Sequence, residues 1–508
     1  MRRNPFMTGM QGFMAMHHQS VRMDREREAQ RRADEAEAEM ASARPSGRLG
    51  DSRLADAADV AKAGLYDRRG LFLGAFEGRP IFFAGDGPML TYLRTGGGKG
   101  RDLLLPNMAH VRDRSLVIID VKDGENQYAS AEHRAATLGT KCIFLNPFGM
   151  RGAPDTQINP LQILLGIVNA GGSIDSEANE IAQILLPPPV KPGDDAWVRK
   201  GALRLLAMRM EYLALFEPGL CSLSGLWRFV NADHQATSAA YAMMSSCGVE
   251  AIERKAGAFE RTYAKAPKQY EAYKADAIEA LESFEPGKAF ERSTSAHTFD
   301  FSRLKHEPHS VYLMVPSDKI GVAAPWVSLV LNYAIETIAK EAGPLRTTFL
   351  LDEFPQLPPA PAIMKALRLY RGKGIQLWFF AQGRFSMAEK WSREAVKEFE
   401  DQAAVITMKN VKEPDLIRDL QLWSGNATVL MKAVSHSGGP VEVAGTNLGE
   451  QKRFVLQSEN ILGLQENEHL LRIASMPRLL VAESVPFYEV EPWARQMRDV
   501  RDLHTGIK

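Results

Sequence analysis

Thr95-Gly-Gly-Gly-Lys-Gly100 follows a short apolar run, Pro88–Leu93, and precedes Arg101-Asp-Leu-Leu-Leu105. Three glycines and a lysine let a loop turn its backbone N–H groups inward around an anion. A helix N-terminus closes such a loop, and Lys99 would meet the outer phosphates. The pattern departs from the usual phosphate loop twice: Leu93 stands where glycine is expected, and Gly100 where a Ser or Thr hydroxyl would meet Mg2+. Far downstream, the apolar run Thr347–Leu351 ends in Asp352-Glu353-Phe354-Pro355. Alone, that is a strand capped by two acids before a turn. Opposite a glycine-lysine loop it is the other half of a hydrolytic site, with Asp352 holding Mg2+ through water and Glu353 polarising the attacking water as general base. Gln382 closes the next apolar run, where it can orient water or sense a γ-phosphate. Between them, Arg368-Leu-Tyr-Arg371-Gly-Lys-Gly374 puts an arginine on a glycine-flanked turn. Arg371, rather than Arg368, is expected to act in trans as an arginine finger on a neighbouring subunit.

These residues need a parallel sheet to hold them. Leu71–Leu73, Pro80–Phe83, Ser115–Asp120 and Cys142–Leu145 read as strands; so do Ser310–Val315, Thr347–Asp352, Ile375–Phe380 and Ala404–Met408. Several are continuous apolar runs separated by helix-length spacers, the mark of strands buried on both faces. Between about 155 and 295 strand patterns give way to helical ones, at 176–186, 194–216, 221–232, 236–255 and 257–284. Strand patterns return at Arg453–Leu456, His469–Ile473 and Arg478–Ala482. The expected architecture is an α/β domain, mainly a parallel sheet with helices on both faces, formed by 51–154 and 296–495. An all-α insertion at 155–295 interrupts it. Residues 1–50 form a charged helical or disordered arm, Met-rich to residue 19 and rich in charge and alanine from 20 to 42, and 496–508 form a tail.

A chain of 508 residues exceeds one core. Its 62 basic and 62 acidic residues leave no global field that steers it toward nucleic acid or membrane, so any such surface is local. Three widely spaced cysteines exclude a disulfide framework, and no run approaches 18 uninterrupted apolar residues. The insertion offers two basic surfaces: Trp197-Val-Arg199-Lys200 with Arg204 and Arg209, and a longer stretch that interleaves cations with aromatics. The latter comprises Arg254, Lys255, Phe259, Arg261, Tyr263, Lys265, Lys268, Tyr270, Tyr273 and Lys274, a composition suited to holding single strands without sequence preference. Glu253, Glu260 and Glu271 dilute it, and the same face could read a secretion signal on a protein.

The order of these segments resembles the type IV secretion coupling proteins, the TraG/TraD-like conjugative DNA-transfer ATPases. Thr95–Gly100 followed by Leu105-Pro-Asn107 is similar to that family's phosphate loop and proline-bearing first helix. Asp120-Val-Lys122-Asp-Gly124-Glu125 resembles its Asp-x-Lys-Gly-Glu strand end, with Asp123 as a one-residue insertion. Asn146-Pro-Phe148, Ile158-Asn-Pro-Leu161, Asp194-Asp-Ala-Trp197, Phe299–Leu304, Val311–Pro316, Leu351–Phe354 and Val485-Pro-Phe-Tyr488, the last as a closing strand, complete a likeness over roughly 80–490.

The resemblance implies a RecA-like P-loop NTPase fold, ATP and Mg2+ as cofactors, and a homo-hexamer. It places Thr95, Gly96, Gly97, Gly98, Lys99, Gly100, Arg101, Asp120 and Lys122 around the nucleotide. Lys99, Glu353, Gln382 and Arg371 take the catalytic roles and Asp352 the metal. Glycine after the lysine is common in one branch of the family. The implied function is to recruit and pump relaxase-bound single-stranded DNA, or protein cargo, to a type IV secretion channel at the inner membrane. The alternatives are a coupling ATPase for protein effectors only and a nucleotide-binding adaptor with little hydrolysis. Family members usually begin with two transmembrane helices. Here the arm stands in their place, so the expected location is cytoplasmic, peripheral to the membrane through partners, with no transmembrane segment in this chain.

Overall fold

The computed structural model describes residues 44–187, 196–357, 359–437 and 443–505, together with parts of 20–38, where the described residues are helical and exposed. The Met-rich stretch before residue 20, and Asp194 and Asp195 of the long-helix start, lie outside the described residues.

Strands β1 (Leu71–Phe76), β2 (Arg79–Phe83), β3 (Met89–Leu93), β4 (Ser115–Asp120) and β5 (Lys141–Leu145) precede the helical region. Strands β6 (His309–Met314), β7 (Thr347–Leu351), β8 (Ile375–Ala381) and β9 (Val405–Lys409) follow it, then β10 (Asn426–Ser437), β11 (Val443–Phe454), β12 (Glu468–Ile473) and β13 (Leu480–Glu483). The helices used below are α1 (Leu105–His110), α2 (Glu125–Ala136), α3 (Gln162–Asn169), α4 (Asp175–Leu185), α5 (Ala196–Phe216), α6 (Leu223–Val230), α7 (His234–Met244), α8 (Glu250–Lys265), α9 (Pro267–Leu281) and α10 (Ile320–Lys340).

The chain divides into two compact units, one of Met1–Leu54 with Arg418–Ser458 and one of Ala55–Ile417 with Glu459–Lys508. In the first, β10 and β11 form a long antiparallel hairpin, against which Asp51 bridges to Ala427 and the Thr428 N–H donates to the Gly50 carbonyl at 2.8 Å. In the second lies an 11-stranded sheet of order β2-β1-β13-β12-β9-β3-β8-β7-β4-β6-β5. From β9 to β5 all neighbours are parallel. Every residue of β4, β7, β8 and β9 is buried, as their unbroken apolar runs predict for strands covered on both faces. The flank β12-β13-β1-β2 is antiparallel, and Pro80 is tolerated because β2 is the edge strand.

Two helical patterns divide differently from the sequence reading. The expected 236–255 and 257–284 appear as α7, α8 and α9, broken at Gly248, whose φ of +82° a helix cannot hold, and at Pro267, which opens α9. Val485-Pro-Phe-Tyr488 is not a strand: Phe487–Glu489 is a 3-10 turn, and β13 closes the sheet instead. Pro486 there has no N–H to give a ladder. One helix, Ser317–Lys340, is long and apolar enough to cross a membrane, but 83% of its apolar window is buried inside the protein.

Gly74 sits at the irregularity in the β1–β2 register with φ +129°. A Cβ there would run into the Glu483 carbonyl oxygen of β13. Gly74→Ala combines a clash with a disfavoured backbone and is expected to cost roughly 2–4 kcal/mol. Denaturant unfolding of the variant beside the parent checks this, and an unchanged midpoint would contradict it.

A candidate phosphate-binding site at the carboxyl edge of the sheet

Strands β3, β8, β7 and β4 are consecutive neighbours, and their carboxyl ends present Arg94–Lys99, Gln382, Asp352-Glu353 and Asp120 along one edge. In parallel sheets this edge is where ligands bind. The loop after β3 uses its glycines specifically. Gly96 and Gly98 hold φ +79° and +95°, where L side chains are rare. At Gly97 a Cβ would lie 2.9 Å from Leu93 Cδ1, so the buried Leu93 side chain fills the space beneath the loop. That accounts for the Leu93 departure: the bulk is at 93 and the missing side chain at 97. Lys99–Leu104 then form a π-helical turn that leads into α1, with Pro106 in its first turn.

Lys99 is only 9% exposed, and its ammonium bridges both acids: it contacts Asp352 Oδ1 and lies 2.7 Å from Glu353 Oε1. Burial works to lower the Lys99 pKa, but the two carboxylates outweigh it and the net shift is upward. Asp352 is 1% exposed; its Oδ1 also accepts the Glu353 N–H at 2.9 Å, while Oδ2 is buried without a partner. Glu353 holds φ +50°, a left-handed conformation uncommon for glutamate and typical of strained functional positions.

Asp120 is fully buried at the end of β4. Burial, with the Asp352 charge adding to it against backbone N–H donors, pushes its pKa up to about 7. Its Oδ2 accepts the Gln127 N–H of α2 at 2.8 Å and its Oδ1 has no partner. Lys122 is half-buried in the turn after β4, where Asp123 and Gly124 both hold positive φ; Asp123 accepts from the Ser317 N–H and hydroxyl. The exposed Thr95 and Gln382 share a cavity of about 500 Å3 with Phe385, Lys409, Lys412 and Glu413. Arg101 turns to Asp102. Arg371 lies elsewhere: it precedes β8, at the opposite edge, and pairs with Asp86 just before β3 at 2.7 Å. It does not join the site of its own chain.

A second buried polar system, absent from the sequence reading, supports the loop. Lys409, at the end of β9, donates to Asp102 Oδ2 and to the Ser484 hydroxyl, each at 2.9 Å. The Ser484 hydroxyl is 3.1 Å from His469 Nδ1, and His469 Nε2 is 2.9 Å from the Leu73 carbonyl oxygen. A carbonyl partner requires Nε2 to carry the hydrogen, so Nδ1 accepts from Ser484 and the ring is neutral. Burial, and then the Lys409 charge, lower the His469 pKa to about 4. The Asp102 carboxylate also occupies the place a Gly98 side chain would need. The available signal was Lys409 itself, a charge ending a buried parallel strand on the ligand edge.

In the insertion, the two basic surfaces meet. Arg204 of α5 and Arg254, Lys255, Phe259 and Tyr273 of α8 and α9 line one cleft of about 480 Å3. Lys255 donates to both oxygens of buried Glu211, and Arg199 donates to the Pro187 carbonyl outside this cleft. Tyr270 is 3% exposed, receives the Tyr241 hydroxyl at 3.1 Å and packs edge-on to Tyr263. Tyr270 therefore belongs to the core of the helices, not to a stacking face. Lys200, Arg261, Lys265 and Lys268 are on the exposed or half-exposed surface of α5, α8 and α9.

The large, mostly parallel sheet with its helices is the fold of the P-loop NTPases. A family model for type IV secretory system conjugative DNA transfer matches residues 42–499. The chain belongs to that family and is a type IV coupling protein. Among solved structures it is similar to the plasmid coupling protein TrwB in complex with the non-hydrolysable ATP analogue ADPNP, at 15% identity and TM-score 0.63, over 88% of this chain and 96% of that one. TrwB in complex with ADP and Mg2+ matches at 15% identity and TM-score 0.61, over 86% and 93%. The unbound conjugative coupling protein TrwBdeltaN70 matches at 15% and 0.61, over 85% and 92%. No curated protein matched by sequence.

The neutral His469 has a pH consequence. Its folded pKa of about 4 lies below the unfolded value of 6.5, so the unfolded chain binds the extra proton. Its stabilising share is complete above pH 6.5 and is lost as the pH falls toward 4, to roughly 3 kcal/mol. His469→Gln should flatten the stability profile over that window in denaturant titrations. A variant profile parallel to the parent's would refute the assignment.

Proposed function

We propose that this protein is an ATP-hydrolysing coupling protein that drives single-stranded DNA, delivered with its relaxase, toward a type IV secretion channel. The observation that carries the hydrolytic part is the convergence of Lys99, from the glycine loop, on Asp352 and Glu353, from a strand two places away in the sheet. Family membership supports the cargo, and TrwB's complexes with ADPNP and with ADP and Mg2+ support nucleotide and metal.

The loop N–H groups and Lys99 would hold the phosphates. A polyphosphate offers Lys99 a more strongly charged partner than its present carboxylates, and its movement frees Glu353 to take a proton from an attacking water. Gln382, ending the strand between loop and acids, would orient that water. The site fits Mg2+: Asp352 Oδ2 is a hard, buried oxygen without a hydrogen-bond partner. Bound there, Mg2+ would neutralise phosphate charge.

The all-α insertion would select the substrate. Its cleft joins Arg204 and Arg254 to Phe259 and Tyr273, cations for phosphates beside rings for bases. A homo-hexameric ring would complete the motor, and the secretion channel would be its membrane partner.

Lys99→Ala and Glu353→Gln should each reduce ATP turnover at least about 100-fold, with Glu353→Gln keeping nucleotide affinity. Single-stranded DNA should raise the parent rate more than duplex DNA does. Turnover that survives both substitutions would reject a hydrolytic site here, and no response to any DNA would favour protein cargo. Separately, Arg204→Ala with Arg254→Ala should lower single-strand affinity and reduce the slope of log affinity against log salt by about 1–2. An unchanged slope removes the cleft from the DNA path.

A further inference from the structure

The position after Lys99 is Gly100, so no hydroxyl stands where phosphate loops usually give one to the metal. The sheet offers another oxygen. Strands β4 and β7 are parallel neighbours with Ile118 opposite Leu350. Continuing that register by two residues sets Asp120 beside Asp352, on adjacent strands about 4.8 Å apart. Residues in register on neighbouring strands project to the same side.

Both carboxylates are more than nine-tenths buried, and each keeps one oxygen, Asp120 Oδ1 and Asp352 Oδ2, without any hydrogen-bond partner. Buried polar oxygens are paired in the great majority of cases, and two orphans side by side are costly unless a cation serves both. The plain alternative is that Asp120 caps α2, through the Gln127 N–H. That uses Oδ2; the Asn126 and Lys122 N–H groups also favour the carboxylate, but no hydrogen bond reaches Oδ1. Lys99 contacts Asp352 and Glu353 and has no bond to Asp120.

We propose that Asp120 is a second protein ligand of the divalent cation in the nucleotide complex, replacing the hydroxyl that Gly100 lacks. This rests on the nucleotide-hydrolase reading above. Mg2+ is commonly held by one or two carboxylates together with substrate phosphates and water, and Asp120 with Asp352 supplies two.

The test uses the full-length protein with ADP and Mn2+ as the spectroscopic substitute for Mg2+. Asp120→Asn keeps an oxygen for the Gln127 N–H and removes the charge. It should weaken Mn2+ binding to the ADP complex at least about tenfold by electron paramagnetic resonance, while ADP affinity in EDTA changes less than about twofold. Adding Gly100→Ser to that variant should recover most of the loss. In the parent protein, Fe2+ substituted for Mg2+ with ascorbate and peroxide should cut the backbone near residue 120 as well as near 352, a readout that needs no variant to fold. Parent-like Mn2+ affinity in Asp120→Asn, or cleavage near 352 alone, overturns the assignment. Failure of the parent to bind ADP at all would instead overturn the nucleotide-site reading on which it rests.

Discussion

The site depends on one buried cation. Lys99 is nearly enclosed, and taking an ammonium out of water costs several kcal/mol before any partner is found. Asp352 and Glu353 offset that cost, and the offset is mutual, because Asp352 is itself almost fully buried. The three charges therefore pin the glycine loop after β3 to the end of β7 across the intervening β8. The same arrangement makes partner exchange conditional. An anion that draws Lys99 away leaves a buried carboxylate with neither oxygen matched to a cation, a state that is strongly disfavoured unless positive charge arrives with the anion. Binding of an anion and of a compensating cation would thus be coupled through the lysine.

Beneath the loop a second ion pair fixes its other side. Asp102 and Lys409 are both buried, and Lys409 continues through Ser484 and a neutral His469 to the backbone of β1. Charge pairs of this kind seldom add net stability over apolar packing, but they tolerate few alternative geometries. Together with Leu93 under Gly97, they set the path of a segment whose glycines would otherwise leave it free. The antiparallel flank thereby reaches the glycine loop, because β12 begins and β13 ends at the edge where β9 places Lys409.

Much of this was legible in the sequence, for identifiable reasons. Parallel strands buried on both faces announce themselves as unbroken apolar runs, so β4, β7, β8 and β9 and their terminal Asp120, Asp352 and Gln382 could be placed without coordinates. Helix breaks were harder: Gly248 and Pro267 interrupt patterns whose apolar spacing runs on past them. Val485–Tyr488 resembles the family's closing strand, yet Pro486 denies it a ladder donor. Long-range pairings were not legible at all. Lys409 marks a charge at the end of a buried strand, but its partner Asp102 does not show in the sequence, since the pair exists only because β9 is laid beside β3. Leu93 reads as a flaw until Gly97 is seen above it.

Arg371 and Lys99 show how burial decides which cation can change partners alone. Arg371 is 66% exposed on its side chain and paired with the partly exposed Asp86. Exposed pairs contribute about 0–1 kcal/mol, so its guanidinium can turn to another anion at little cost. It also stands at the opposite end of β8 from Gln382, and seven residues at about 3.3 Å each keep it roughly 20 Å from its own glycine loop. An arginine so placed reaches a phosphate only on a second chain. Lys99, in contrast, is close to the site and expensive to move. The cation that is cheap to redirect is therefore the one that distance excludes from its own site, and any contribution from Arg371 requires a neighbouring copy set edge to edge.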